Sequence, residues 1–334
     1  MFVDGNVGTI GISLEPVLEA VGTTIAAGST VHVLNGVYHE APQITINADV
    51  NIVGQDRSGT IVKAAGSTGS SSNDNSRGWF LVAEGVTLNV SHMTFDGNGN
   101  NIFQAFRHRG SGTFEDVAFH DIQFRATGPN YAGTAIAAFG SASNVDVIDS
   151  IFSQIGRIGV QFFGSGTTGE FRGNTYTGKG IGNHLDYAVE VGGGAVSDIL
   201  NNTITNNRGI AASDGSSSAG ILVTTFFGAG SSASIQNNFI NGNRHGVVVG
   251  FNASDTSMVA INNNDLSGNC VSAVRSTAAE VNAECNWWGI ANAAAIQAML
   301  GGAGSANIDF MPFLTSGADT SADAGFQGDL SSCV

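Results

Sequence analysis

Short apolar runs separated by Gly, Ser and Asn recur along the chain. Segments 158–176 (IGVQFFGSGTTGEFRGNTY), 187–204 (YAVEVGGGAVSDILNNTI), 220–240 (GILVTTFFGAGSSASIQNNFI) and 246–266 (GVVVGFNASDTSMVAINNNDL) share one plan. An apolar strand enters a Gly/Ser turn, a second strand follows, and Asn then precedes a large apolar residue. Segment 133–152 is a weaker copy, 272–289 closes the series and 102–121 precedes it. Runs this short suit strands rather than helices.

Aligning the turns gives one column: Ser150, Asn174, Asn202, Asn238, Asn264 and Asn286. Two residues on lie Phe152, Tyr176, Ile204, Ile240, Leu266 and Trp288. The spacings of 24, 28, 36, 26 and 22 residues are irregular. That predicts a parallel β-solenoid whose loops vary from coil to coil. Coils stacked ~4.8 Å apart pair every backbone group with the coil above and below. Inward Asn side chains are expected to bond the neighbouring turn's backbone and the next Asn. Proline would interrupt the ladder, and only Pro42 and Pro129 fall between 40 and 300.

The ends break the pattern. EPVLEAV (15–21) reads as a short capping helix and 30–66 as the first coils. Segment 67–78 reads as a polar loop, 292–302 as a helix with a Gly stop, and 315–334 as a polar, poorly packed tail. The division is a cap segment over 1–29, an all-β solenoid over 30–290, and a capping helix with tail over 291–334. Caps hide the open terminal strands.

Composition narrows the function. The chain has 334 residues, with 12 Lys and Arg against 27 Asp and Glu, a net charge of −15. Lys63 and Lys179 are the only lysines. Such a chain is a poor nucleic-acid binder, since phosphates need clustered cations. No apolar run is long enough for a membrane-spanning helix. Met1-Phe2-Val3-Asp4 lacks the basic and apolar regions of a secretory signal, and the abrupt end suggests a segment of a longer protein. Low charge with abundant Ser, Thr, Asn and Gly fits a secreted or cell-surface setting.

At this point the chain resembles the right-handed parallel β-helix repeat proteins, the pectate-lyase-like superfamily. The opening VHVLNGVYHEAPQITINADVNIVGQDRSGTIV is similar to the family's entry coils. CNWWG (285–289) and IDFMPFLTSGADTSADAGFQGDL (308–330) resemble the closing segment of β-helix modules in large secreted bacterial surface proteins. The resemblance covers roughly 30–315. It implies the fold; the fold hosts lyases, hydrolases, esterases, epimerases and adhesive modules alike.

Candidate chemistry is sparse. A calcium-dependent lyase needs converging carboxylates and a basic residue, and a hydrolase needs a carboxylate pair. Of the strands before the Gly/Ser turn, one contributes Glu190; the matching positions are read as Val160, Phe162, Thr224, Val248 and Gly250. Arg157, His184 with Asp186, and Arg244 with His245 fall near equivalent turns, a stripe suited to proton transfer. The competing reading makes them solvated turn residues. The catalytic candidates are therefore His184, Asp186, Glu190 and His245. Arg107 and Arg109 are candidates for gripping an acidic sugar; the alternative is a local ion-pair network with Glu115 and Asp116. Of the Phe pairs, Phe162 and Phe226 are read as the outward members, able to stack on sugar or form an oligomer contact.

Among three cysteines, Cys270 and Cys285 are the candidate pair, or both are reduced and buried; Cys333 has no evident partner. No zinc spacing, P-loop or GxSxG occurs. The run Asp96-Gly97-Asn98-Gly99-Asn100 reads as a turn rather than a calcium loop, and calcium is the one cofactor kept open. Two functions remain. The first is a non-catalytic extracellular module for polysaccharide or cell-surface glycan binding, adhesion or display. The alternative is a carbohydrate-active enzyme: a lyase, epimerase or glycoside hydrolase working in a groove along the solenoid.

Overall fold

A computed structural model describes residues 2–4, 26–70, 75–125 and 132–334. Among the described residues two sheets wrap around one axis, one of ten strands and one of eighteen. The expected capping helix at 15–21 lies outside the described residues. The ten-stranded sheet runs from Ile44–Ile46 through Gln104–His108, Ile158–Phe163, Tyr187–Gly192 and His245–Val249 to Leu300–Gly301, with every neighbouring pair parallel. The larger sheet folds around a corner. Leu88–Asp96 crosses it, pairing first with Val50–Gly54 and then with Thr60–Ala64. In later coils the corner splits the strand, as in Val145–Ile148 and Ile151–Ser153. This is a right-handed parallel β-helix with three faces.

The corner explains the Asn column. Each turn residue before it adopts positive φ: Asp149 at 49°, Asn201 at 58°, Asn237 at 59°, Asn263 at 53°. Asn and Asp tolerate that conformation better than other side chains. The following residue turns its side chain inward. Asn202 N donates to Asn238 Oδ1 at 2.8 Å, and Asn238 N to Asn264 Oδ1 at 2.9 Å. Asn238 Nδ2 donates to Ile199 O at 2.8 Å. The ladder runs from Ser150 to Asn286 as the spacing predicted, all buried. A second ladder, unanticipated, links Asn207, Asn243 and Asn269 at the next corner.

Like meets like in the core. Phe95, Phe119, Phe152 and Tyr176 form a column with centroid separations of 5.7, 5.2 and 6.0 Å. Phe162 belongs inside as well, at 0% exposure. It is Phe163 that faces outward, correcting the expectation for that pair.

Three expectations about the C-terminal region change. The helix is short, Ala293–Gln297, capped by Asn292. It stops early because Leu300–Gly301 returns to pair with Ser272–Ser276. Cys285 pairs with Cys333, not Cys270, which is free and exposed. The tail packs back on the corner: Phe326 is fully buried, and its N donates to Asn237 O at 2.8 Å. Its few apolar residues are spent on contacts, so its polar composition misled.

Candidate functional site

The outer face of the ten-stranded sheet gathers the chemistry. Strand register sets one outward row in chain order: Arg107, Ala137, Gln161, Glu190, Leu222, Val248 and Arg275. The sequence alignment was out of step. Val160 and Phe162 point to the core, Thr224 pairs with Gly192, and Gly250 lies beyond its strand. Gln161 Nε2 donates to Glu190 Oε1 at 2.9 Å across one rung.

A second row carries Ile158 opposite Tyr187, and Ala219, His245 and Ser272 in register. Ile158, Leu185, Tyr187, Ala211, Ala219 and Val248 form a small apolar cluster separate from the main core. It seats the loop that follows Arg208 and returns through an Ile210–Ser217 bridge. Ser217 from that loop meets two strand residues. Tyr187 Oη donates to its carbonyl at 3.4 Å, and its Oγ lies 3.0 Å from His245 Nε2. Ser272 Oγ lies 2.7 Å from His245 Nδ1.

Burial sets the protonation states. It holds the His245 imidazole down to about 4, with Arg275 and Arg244 adding to the shift. It pushes the Tyr187 phenol up to about 12; Arg157 opposes this while Glu190 and Asp214 reinforce it. At neutral pH the face therefore carries a neutral acceptor and a neutral donor, both touching Ser217. Arginines flank them: Arg157 on one side, Arg244 and Arg275 on the other. None of the three forms an ion pair with a carboxylate among the described residues, and the Nε atoms of Arg157 and Arg244 are buried without a partner. By contrast, Arg57, Arg125 and Arg172, away from this face, are each paired with an acid.

The expected stripe is thus divided. Arg157, Glu190, Arg244 and His245 share the face; His184 and Asp186 turn away from it. Asp186 is fully buried, accepting from Tyr176 Oη at 2.8 Å and Lys179 N at 2.7 Å and pairing with Lys179 Nζ at 3.2 Å. Lys179 Nζ also donates to Gly156 O at 2.9 Å. His184 Nε2 lies 3.1 Å from Gly180 O, and burial lowers its imidazole. Burial likewise pulls Lys179 down and pushes Tyr176 well above the ordinary phenol range. Their partners suit an internal clamp on the chain at 179–186, not a groove.

Sequence reasoning missed Tyr187, Gln161, Ser217 and Arg275. The first residue of YAVEV and the Arg of SAVRS were the available signals, but only the register aligns them. Arg107 and Arg109 lie on the same face, several rungs earlier. Their guanidinium carbons sit 4.4 and 5.5 Å from the Phe139 ring centroid. Of the alternative network's acids, Asp116 instead meets Arg57 and His92, and no ion pair joins Arg107 or Arg109 to Glu115 among the described residues. Phe226 is 58% exposed, as is Phe227 at 61%.

No three His, Cys, Asp or Glu side chains converge as a metal cage among the described residues. The Asp96–Asn100 run is a turn, with Asp96 Oδ1 accepting from Asn98 N at 2.8 Å. An open groove of about 1100 Å³ lies on the other sheet, lined by Val196, Ser234, Met258, Glu280 and Met311, apart from the Tyr187–His245 face.

No family model and no curated protein matches the chain. Solved structures do. The A-module of a mannuronan C-5 epimerase from Azotobacter vinelandii is 17% identical with a TM-score of 0.43, covering 77% of this chain and 69% of that one. A mannuronic-acid-specific family 6 polysaccharide lyase from human gut microbiota is 10% identical with a TM-score of 0.39, covering 90% and 89%. A pectin methylesterase variant is 12% identical with a TM-score of 0.33, covering 72% and 78%.

Proposed function

We propose that this chain is a carbohydrate-active enzyme that transfers protons on a uronate unit of an acidic polysaccharide. One observation carries the reading: Tyr187 and His245 meet at Ser217, between arginines that form no ion pair among the described residues. A display module has no need of a buried, neutral His–Tyr pair, so the enzymatic alternative is favoured over the non-catalytic one.

The chemistry follows from the groups. An Arg fork on the sugar carboxylate withdraws charge and acidifies the adjacent C–H. Neutral His245 takes that proton. In the epimerase course, Tyr187 returns a proton to the opposite side of the same carbon. In the lyase course, the carbanion's electron pair forms a carbon–carbon double bond, the neighbouring C–O bond breaks, and Tyr187 protonates the leaving oxygen. Gln161 and Glu190, already bonded to each other, are placed to hold sugar hydroxyls. Glycoside hydrolysis is less favoured, since Glu190 is the one carboxylate in the central row and that reaction uses two.

The Cys285–Cys333 disulfide supports an oxidising location, secreted or at a cell surface. The test is incubation with polymannuronate and polygalacturonate. Unsaturated sugar ends identify a lyase and changed C-5 configuration an epimerase. Unchanged polymers would overturn the reading.

A further inference from the structure

We infer that the same face carries a second, non-reacting subsite for the anionic chain, built on Arg109, Phe139 and Phe163 with Arg107 beside them. This rests on the proposed function and adds where the rest of the polymer lies.

Position comes first. Arg107 stands in the same outward row as Glu190, three rungs before it, or about 14 Å at ~4.8 Å per rung. That rise is close to the length of one pyranose unit, so a chain lying along the axis meets about one rung per sugar. Phe139 and Phe163 are in register at the rim of this row.

The groups suit a uronate. Two guanidinium groups lie against one Phe139 ring, which fixes their planes; Arg107 also donates to Gln104, and Arg109 is the one placed to meet a carboxylate. Arg109 donates to the Asn75 side chain and has no ion pair among the described residues; its Nε is buried without a partner. In a chain of net charge −15, an arginine kept from acids marks a place for an external anion.

An apolar rim continues the subsite towards the centre. The Phe163 ring lies 5.3 Å from Phe227, Phe227 4.7 Å from Phe226, and Phe226 4.8 Å from Phe251. Gly193 intervenes; a Cβ there would come within 3.3 Å of the Phe163 ring. Solvent-facing rings beside a polar floor match a sugar chain, with C–H faces on one side and carboxylates and hydroxyls on the other. The occupant is the same acidic polysaccharide.

The test compares wild type, Arg109→Ala and a Phe226→Ala/Phe227→Ala double variant. Binding to size-fractionated polymannuronate and polygalacturonate is read by calorimetry, and self-association by sedimentation. Arg109→Ala should weaken the long polymer about ten-fold, leave the shortest bound oligomers unchanged, and flatten the salt dependence. Equal loss on short and long chains, or no loss on either, would overturn the subsite. So would a double variant that changes only self-association, which would make the rim a contact between copies. A wild type that binds long polymer with this length dependence but leaves it chemically unchanged sinks the catalytic reading while supporting the subsite. A wild type that binds neither polymer sinks both.

Discussion

His245 Nε2 lies 3.0 Å from Ser217 Oγ, across 28 residues of chain. The loop carrying Ser217 also reaches Tyr187, so one serine joins the two groups assigned to proton transfer. Tyr187→Phe keeps the ring in its apolar cluster and removes only the hydroxyl. His245→Gln keeps a polar side chain between two serines. Each should lower kcat by about 10²–10⁴-fold, the usual range for a lost general acid or base. Far-UV circular dichroism should stay unchanged. Because His245 acts neutral, wild-type kcat/KM should fall as pH drops towards about 4, and Tyr187 imposes no loss until far into the alkaline range.

Asp186 makes the opposite prediction. It is paired with Lys179 inside the fold rather than placed beside His245 and Ser217. Asp186→Asn leaves a buried lysine uncompensated, a change that costs about 3–5 kcal/mol in comparable sites. Chemical denaturation should show that loss. Any fall in activity should track the unfolded fraction, with kcat per folded molecule near the wild-type value.

His108 is fully buried, and burial holds its imidazole down to about 4. Between that value and its ordinary one near 6.5, the unfolded chain binds a proton that the folded chain refuses. Stability is therefore complete above about pH 6.5 and drains away as pH falls towards 4, by about 3 kcal/mol from this residue. A plot of Tm against pH should slope in that window, and His108→Phe should reduce the slope, leaving the part that His245 contributes.

Asn238 tests the corner ladder. Its Oδ1 accepts from both Asn202 N and Asn202 Nδ2 at 2.8 Å, and its Nδ2 donates to Ile199 O at 2.8 Å. Asn238→Ala orphans buried groups on two coils, at about 1–3 kcal/mol each. Hydrogen exchange should accelerate most at Asn202 and its neighbours and least at the terminal rungs.

The coils were legible because their cause is local and repeated. Asn202, Asn238 and Asn264 each precede a core residue by two positions, so alignment alone exposed the ladder. The site was less legible because it depends on register across coils of unequal length. A one-residue error in matching Glu190 exchanged Gln161 for core-facing Val160 and Phe162, and hid Arg275. Adjacent residues also parted company: Asp186 turns inward to Lys179, while Tyr187 beside it lies under the loop that carries Ser217. The tail misled for another reason. Its order comes from the Cys285–Cys333 bond and from single residues such as Phe326, which composition averages away.

The most direct test of the proton-transfer function is incubation of the chain with polymannuronate and polygalacturonate in heavy water. Lyase and epimerase courses both begin by breaking the C–H bond beside the carboxylate. The prediction is deuterium at C-5 or new unsaturated ends, seen by NMR and mass spectrometry and lost in Tyr187→Phe and His245→Gln. Polymers recovered with neither label nor double bond, or a signal that persists in both variants, would contradict it.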